Sequence, residues 1–194
     1  MTEQELIQGL KTGSEHAYKE LVETRQSLVF NTIIGFLQNQ EDAEDVAQDV
    51  FIKVFESIHQ FKGESTLSTW IYRVAVTSAL EFLRKKKRKK RFGFLRPILG
   101  EDNEPTVDVP DFHHPGVQLD NKEKAAILFK SIRQLPENQQ IAFILNKVEG
   151  LSYQEVANIM QTSLSAIESL LHRAKSNLKE ILKNFNNLEE DRNK

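Results

Sequence analysis

The stretch TLSTWIYRVAVTSALEFLRKKKRKKR, residues Thr66 to Arg91, decides the fold, because it has the pattern of one long helix with two different faces. At 100° per residue, one arc is mostly apolar and small enough to pack against other helices. That arc holds Leu67, Ile71, Val74, Ala75, Ser78 and Phe82. The opposite arc is mixed in chemistry and holds Tyr72, Arg73, Val76, Thr77, Leu80 and Arg84, with Trp70 at its edge.

The mixed face leads into eight consecutive basic residues, Arg84 to Arg91. Bases stack on flat aromatic rings and phosphates pair with Arg and Lys, so such a face suits single-stranded nucleic acid. A buried Trp and Tyr beside a solvated run of charge would give the same pattern. Taken alone, the helix leaves both interpretations open.

Composition is that of a soluble globular protein. Of the 194 residues, 39% are hydrophobic and 28% are charged, enough for one large or two small domains. No apolar run approaches the ~20 residues needed to span a bilayer. The N-terminus lacks a basic start followed by an apolar segment, so we expect no signal peptide, no membrane insertion and a cytoplasmic location. The chain has no cysteine, which excludes disulfides and thiolate metal sites.

The net charge of −2 hides a strong segregation of charge. Eight of the 26 Lys and Arg residues lie in the single run, which leaves 18 basic residues against 28 acidic ones elsewhere. This distribution indicates a basic patch for a partner on an otherwise acidic protein.

Helical periodicity covers the chain on both sides of a central segment, and strand-like alternation is absent. We therefore predict an all-α fold of two small helical domains joined by a flexible linker. The first domain, residues 1–92, has helices near 3–11, 17–37 and 41–60 before the long one. The linker, 93–119, is acidic and holds four of the five prolines. The second domain spans 120–186, and the tail, 187–194, is expected to fray.

The helix predicted for residues 41–60 has an acidic side. Asp42, Asp45, Asp49 and Glu56 lie together, opposite the apolar positions. Asp45 and Asp49, one turn apart, could offer carboxylates to a metal, but solvation or contact with a basic protein surface is the favoured interpretation. We predict no metal site and no cofactor.

A helix-turn-helix is predicted between residues 153 and 185. Ser152 and Glu155 form a capping box, and Ala157 is small where two helices would cross at a steep angle. Gln161 stands in the turn where many such motifs have Gly, so it must tolerate a left-handed conformation or use another turn. An unrelated helical hairpin is the alternative.

The second helix of this motif would enter the major groove. Its exposed face holds Ser165, Ala166, Glu168, Ser169, His172 and Arg173. Arg can pair with phosphate or guanine, Ser and His can donate to base edges, and an Ala methyl can meet a thymine methyl. Glu168 can accept from a cytosine amino group or close a capping box with Ser165, and the capping role is favoured.

Two blocks in this order carry a family resemblance. The first is DAEDVAQDVFIKVFESIHQFKGESTLSTWIYRVA with the basic helix end, and the second is LPENQQIAFILNKVEGLSYQEVANIM followed by SAIESLLHRAKSNL. From about Ser14 to Leu182, the chain strongly resembles the sigma-70 family of bacterial RNA polymerase sigma factors, in its small extracytoplasmic-function (ECF) group.

The resemblance implies roles for residues in both domains. The segment with Asp42, Asp45, Gln48, Asp49 and Phe51 would dock on the β′ clamp of core RNA polymerase. The FKGESTL turn with Lys62, and the helix face with Trp70, Tyr72, Arg73 and Thr77, would melt and hold the −10 promoter element. Arg84, Lys85 and Arg88 in the basic run would hold the DNA backbone. The last two helices would recognise the −35 element.

The resemblance also implies partners and shows departures. Expected partners are core RNA polymerase (β′ clamp and β flap), promoter DNA and an anti-sigma factor, which in this group is commonly membrane-anchored. The linker would thread through polymerase channels. The family commonly has Asn at Thr77 and basic residues at Glu168 and Leu170, so −10 base preference and −35 contacts are where this chain should differ.

Three classes of function remain to be compared. A promoter-specificity factor without catalytic chemistry accounts for every block. A helix-turn-helix regulator that acts without being a polymerase subunit accounts for residues 120–185 but leaves the basic helix and the acidic side unexplained. An enzyme is not supported, because the sequence shows no catalytic triad pattern, Gly-rich phosphate loop or ligand cluster.

Overall fold

A computed structural model describes the backbone of residues 1–94 and 122–192, and the side chains of residues 1–89 and 124–185. Within those ranges the chain is all-α and contains no β-strand, as the sequence predicts. The predicted linker, 93–119, lies almost entirely outside the described residues. No helix in the described part is long and apolar enough to cross a membrane.

Four α-helices form the first domain. They are α1 (Glu3–Lys11), α2 (Glu15–Leu37), α3 (Gln40–Ser57) and α4 (Leu67–Phe94), with a 3₁₀ turn at Ile58–Gln60 after α3. Polar side chains cap their first turns, because the first backbone N–H groups of a helix have no partner within it. Ser14 accepts from Ala17 N, Asn39 Oδ1 from Asp42 N, and Thr66 Oγ1 from Thr69 N.

Helices α2, α3 and α4 pack around one core. Residues with the predicted 3- and 4-residue spacing on α3 are buried, including Ala43, Val46, Val50 and Val54. The end of α2 departs from a one-sided pattern, since every residue from Thr32 to Leu37 is buried. Because a helix that is apolar and buried on all sides must be surrounded by other elements, this end of α2 lies in the interior of the protein.

The second domain contains α5 (Lys122–Ile132), α6 (Glu137–Phe143), α7 (Tyr153–Met160) and α8 (Leu164–Arg192). The capping box of Ser152 and Glu155 forms as predicted, and Gly150 ends the preceding segment at φ +74°. Gln161 adopts the left-handed conformation, at φ 53°. It is therefore the C-terminal cap of α7, in the turn that leads to α8.

Three features differ from the sequence prediction. Helix α6 continues as a π-helical turn, Ile144–Val148, in which Glu149 N donates to Ile144 O instead of to a residue four positions back. Helix α4 continues past residue 92 to Phe94. Helix α8 continues to Arg192, through most of the tail expected to fray, because no Gly or Pro interrupts it.

Candidate nucleic-acid interface

Helix α4 presents the predicted aromatic and cationic face only in part. Leu67, Ile71, Ala75 and Ser78 are buried as predicted, whereas Val74 and Phe82 are half-buried. Val76 and Leu80, placed by the sequence on the nucleic-acid face, are only 7% and 9% exposed. That placement was wrong, because α4 packs against α7 of the second domain as well as against α2 and α3.

The two aromatic residues of the face have different surroundings. The ring of Trp70 packs on Phe61, with centroids 5.4 Å apart at 48°. Tyr72 is half-buried, and burial together with the charges of Glu149 and Glu155 raises the pKa of Tyr72 to about 12. A phenol is already neutral near neutral pH at its ordinary pKa of about 10, so this shift does not change the charge of Tyr72 there. Both rings keep some exposed surface, so the buried-aromatic alternative holds only in part.

Arg73 bonds to the second domain. Its Nη2 donates to Asn158 O at 2.7 Å, and its Nε donates to Ile159 O at 3.2 Å. Both carbonyls belong to the last turn of α7, where oxygens lack partners within the helix and the helix dipole favours a cation. The guanidinium predicted to meet DNA is occupied by the chain itself.

A concave site of about 670 Å³ lies beside this contact. Its lining includes Trp70, Arg73 and Thr77 of α4, together with Gln161 from the α7–α8 turn. Lys53 on α3 contributes a cation, with Nζ 3.0 Å from Ser78 Oγ and 3.2 Å from Glu81 Oε2. The sequence analysis did not identify Lys53. Lys53 lies four residues after Asp49, on the same side of α3 as the acidic residues, and this helical spacing gave no signal of a contact with α4.

The basic run divides into paired and exposed cations. Arg84 Nη2 lies 2.6 and 2.8 Å from the two carboxylate oxygens of Glu137, across the domain boundary. Lys86 Nζ lies 2.7 Å from Asp42 Oδ2 within the first domain. Lys85 and Arg88 are exposed, and so is Lys62 in the loop before α4.

The acidic side of α3 is exposed over most of its predicted length. Asp45, Gln48 and Asp49 face solvent, whereas Asp42 is partly covered by its ion pair with Lys86. Phe51 is only 6% exposed and lies in the floor of a groove of about 540 Å³ between α2 and α3. The α2 wall of this groove, which includes Val22 and Phe30, was not identified from the sequence because its residues also fit an ordinary core pattern.

The predicted reading face of α8 is open. Ser165, Glu168, Ser169, His172 and Arg173 are exposed, and Ala166 is half-buried. Arg173 folds back on its own helix, with Nη2 3.0 Å from Ser169 Oγ.

The cap of α8 differs from the favoured prediction. Ser163 Oγ accepts from Ala166 N at 3.2 Å, because α8 already begins at Leu164 and Ser165 lies inside its first turn. The capping box between Ser165 and Glu168 was therefore wrong. This leaves the Glu168 carboxylate exposed on the reading face.

No cluster of three His, Cys, Asp or Glu side chains close enough to share a metal ion occurs among the described residues. Glu56 and His59 do have the Glu-x-x-His spacing used in helical di-metal sites, but both are exposed and no third ligand accompanies them. The acidic side of α3 is thus a surface of separate carboxylates.

Sequence comparison matches both domains to parts of one family. Residues 21–89 match the family described as Sigma-70 region 2, and residues 120–178 match Sigma-70, region 4. Identity to the ECF RNA polymerase sigma-E factor of Haemophilus influenzae is 34% over 179 residues, covering 90% of this chain and 92% of the relative. Identity to that of Escherichia coli (strain K12) is 30% over 175 residues, covering 90% and 91%.

Comparison of structures gives the same fold. The structure of CnrH in complex with the cytosolic domain of CnrY is similar with a TM-score of 0.63 and 18% identity, covering 93% of this chain and 97% of that one. The sigma factor RpoE of Bartonella quintana, solved with the anti-sigma factor NepR, gives 0.61 and 23% identity, covering 86% and 96%.

Proposed function

The chain belongs to the sigma-70 family of RNA polymerase sigma factors, in the ECF group, and on this basis we propose that it is a promoter-specificity factor. In this role it binds core RNA polymerase, recognises the −10 and −35 promoter elements and initiates transcription. It contributes no catalytic chemistry, and it acts in the cytoplasm, where polymerase meets DNA. One observation carries the proposal: a single chain combines exposed carboxylates on α3, rings and cations on α4, and a helix-turn-helix.

The acidic side of α3 is proposed to bind the β′ clamp of the polymerase. Asp45, Gln48 and Asp49 are exposed on one side of the helix and have the charge that a basic protein surface requires. Phe51 would contribute through the adjoining groove, whose apolar floor it forms, and Asp42 would contribute mainly by holding Lys86.

Helix α4 is proposed to handle the opened −10 element. The concave site beside Trp70 and Thr77 offers a ring, a hydroxyl and the nearby cation of Lys53 to a flipped base. Lys62, Lys85 and Arg88 are exposed cations for the backbone, and Arg84 joins them once it leaves Glu137. Thr77, which is exposed, is where base preference should differ from the family pattern.

Helix α8 is proposed to read the −35 element in duplex DNA. Its exposed hydroxyls, His172 and Arg173 supply donors to base edges and phosphates, and the β flap would hold this domain on the polymerase. The free carboxylate of Glu168 favours acceptance from a cytosine amino group, because it is not used in a helix cap.

An anti-sigma factor is a proposed further partner. Two structural relatives were solved as complexes, one with the cytosolic domain of CnrY and one with the anti-sigma factor NepR. Affinity capture from cells before and after stress, followed by identification of the captured proteins, would test for such a partner. Loss of one captured protein on stress is the expected result.

In vitro run-off transcription tests the main proposal. Purified core polymerase and the chain are combined on a fragmented genomic library, and core alone and chain alone serve as controls. Discrete transcripts that need both components are expected. Sequence-specific duplex binding by the chain without any core-dependent transcript would instead indicate a helix-turn-helix regulator.

A further inference from the structure

Helix α1 bonds to both ends of the loop that precedes α4, residues 61–66. Lys11 Nζ donates to Phe61 O at 3.4 Å, where the loop leaves the 3₁₀ turn. Glu3 Oε1 accepts from Leu67 N at 3.4 Å, where α4 begins. Helix α1 also contacts the 3₁₀ turn itself. One helix therefore holds this loop at its start and at its end.

Helix α1 is in turn packed tightly on the first domain. Leu6 and Leu10 are buried, and Gly9 faces the buried Ala17 of α2. A Cβ at Gly9 would lie only 2.7 Å from the Cβ of Ala17, so the two helices approach each other closely there. Close packing of this kind leaves α1 little freedom to shift. The helix is thus a fixed support for the loop.

The ends of the loop lead directly to the concave site beside α4. Phe61 is 7% exposed, and its ring packs on the ring of Trp70. Trp70 N donates to Thr66 O at 3.2 Å in the first turn of α4. Glu3 stabilises that turn, because its first N–H groups lack partners within the helix and the helix dipole favours a carboxylate there. Between the two ends, residues 62–64 are exposed. A shift at either end would therefore move the exposed residues and the Trp70 ring relative to each other.

We propose that α1 sets the geometry of the −10 site, with Glu3 and Lys11 as positioning residues that determine how sharply the site discriminates between bases. The inference rests on the proposed function, which makes the loop and Trp70 parts of that site. Neither positioning side chain contacts DNA in this role. The family match to the first domain begins at residue 21, so this support lies outside the matched residues.

Six substitutions separate the positioning role from a general effect of charge. Glu3→Ala and Lys11→Ala each remove one bond to the loop, whereas Glu3→Gln keeps an acceptor and Lys11→Arg keeps a donor. Glu23→Ala and Lys19→Ala are the matched controls, since these two residues form an exposed pair on α2 and the changes in net charge are the same. Circular dichroism and denaturant melts verify that each variant keeps its fold.

Fluorescence reports the position of the loop without DNA or polymerase, because Trp70 is the single tryptophan of the chain. One hydrogen bond changes an equilibrium constant by roughly 2- to 12-fold, and a bond of 3.4 Å belongs at the low end. Loss of both bonds in the Glu3→Ala, Lys11→Ala double variant should shift the loop toward release by about fourfold. Red-shifted emission and stronger quenching by acrylamide are expected for the double variant. Smaller changes are expected for the single variants, and none for the controls or for Glu3→Gln and Lys11→Arg together.

Sequencing of bound DNA tests base discrimination. Holoenzyme is equilibrated with random single-stranded DNA of about a dozen nucleotides, and the ratio of the most to the least enriched base is measured at the most selective position. This ratio should fall by about two- to fourfold in the double variant and recover in the Glu3→Gln, Lys11→Arg variant. Core polymerase binding and total binding of the random pool should stay unchanged. A merely structural role for α1 would instead lower stability and total binding and leave the ratio as it was.

Two outcomes would overturn the inference. Unchanged Trp70 fluorescence in the double variant would show that α1 does not hold the loop. Changed fluorescence with an unchanged base ratio would show that the position of the loop does not set base preference. Failure of the proposed function is separate, because it would appear as absent run-off transcription with the unsubstituted chain and core polymerase, whatever the fluorescence shows.

Discussion

Replacing Lys85 by Ala should flatten the salt dependence of promoter binding, whereas the same replacement of its neighbour Lys86 should leave it almost unchanged. The two positions differ in pairing: Lys85 is exposed, and Lys86 Nζ lies 2.7 Å from Asp42 Oδ2. A phosphate contact releases condensed counterions only if the cation is available to neutralise the phosphate. Lys86 is already neutralised by a carboxylate of its own domain, so it should add little to the release.

The expected size follows from the counterion rule. Each cation that neutralises a phosphate of duplex DNA contributes about −0.9 to the slope of log K against log salt. Lys85→Ala should therefore reduce the slope by about 0.9, and adding Arg88→Ala should bring the reduction to about 1.8. Between about 50 and 200 mM salt, one contact corresponds to roughly a 3.5-fold difference in affinity loss.

The assay is equilibrium binding of holoenzyme to a labelled promoter fragment over that salt range. Removal of Lys19 and Lys124, both exposed and distant in sequence from the basic run, controls for the loss of two charges. An equal reduction of the slope by Lys85→Ala and by Lys86→Ala would refute the reasoning, because the pair with Asp42 would then not restrain Lys86. Unchanged slopes for both would mean that the run is merely solvated.

Three further predictions concern the other surfaces. Asp45→Arg with Asp49→Arg should abolish core polymerase binding in pull-down while circular dichroism stays unchanged, and retained binding would contradict the proposed role of α3. Ala157→Leu, at a position 2% exposed, should lower the free energy of unfolding by about 1–3 kcal/mol in denaturant melts and weaken −35 duplex binding. Ser152→Ala should lower the free energy of unfolding by about 1 kcal/mol at pH 7, because the helix cap is lost. Hydrogen bonds from Ser152 lower the pKa of Glu155 in the folded protein. The difference in unfolding free energy between the variant and the unsubstituted chain should therefore be complete above the pKa of Glu155 in the unfolded chain, and it should shrink as pH falls through the lower pKa of the folded protein. Equal differences in denaturant melts at pH 7 and pH 3 would contradict this prediction.

Local features of the fold could be predicted from the sequence. Helix positions follow the apolar period, and the caps at Ser14 and Ser152 follow from side chains that accept from backbone N–H groups within the same turn. The left-handed conformation of Gln161 is one of the two alternatives that the sequence left open for the turn between α7 and α8. The π-helical turn was not predictable in this way, because it depends on where residues 144–148 must pack.

Pairing across the molecule could not be predicted from periodicity. The acidic side of α3 was treated as uniform, but Asp42 is taken up by Lys86, 44 residues away. The exposed arginines of α4 were treated as free, but Arg84 meets Glu137 across the domain boundary. Helical spacing fixes which residues share a face, whereas the identity of the opposing surface depends on contacts distant in sequence.

The apolar residues within the α4 face are the evidence that this face has two partners. A surface that only binds single-stranded DNA needs rings and cations, and it gains nothing from buried aliphatic side chains between them. Val76 and Leu80 stand at that position and are buried, and α4 packs against α7 of the second domain as well as against α2 and α3. If α7 has to leave the α4 face before DNA binds there, the residues of the face must suit contact with both α7 and DNA. Polar substitution at Val76 or Leu80 should then weaken the packing of α7 on α4 more than it weakens DNA binding, since the rings and cations of the face are retained.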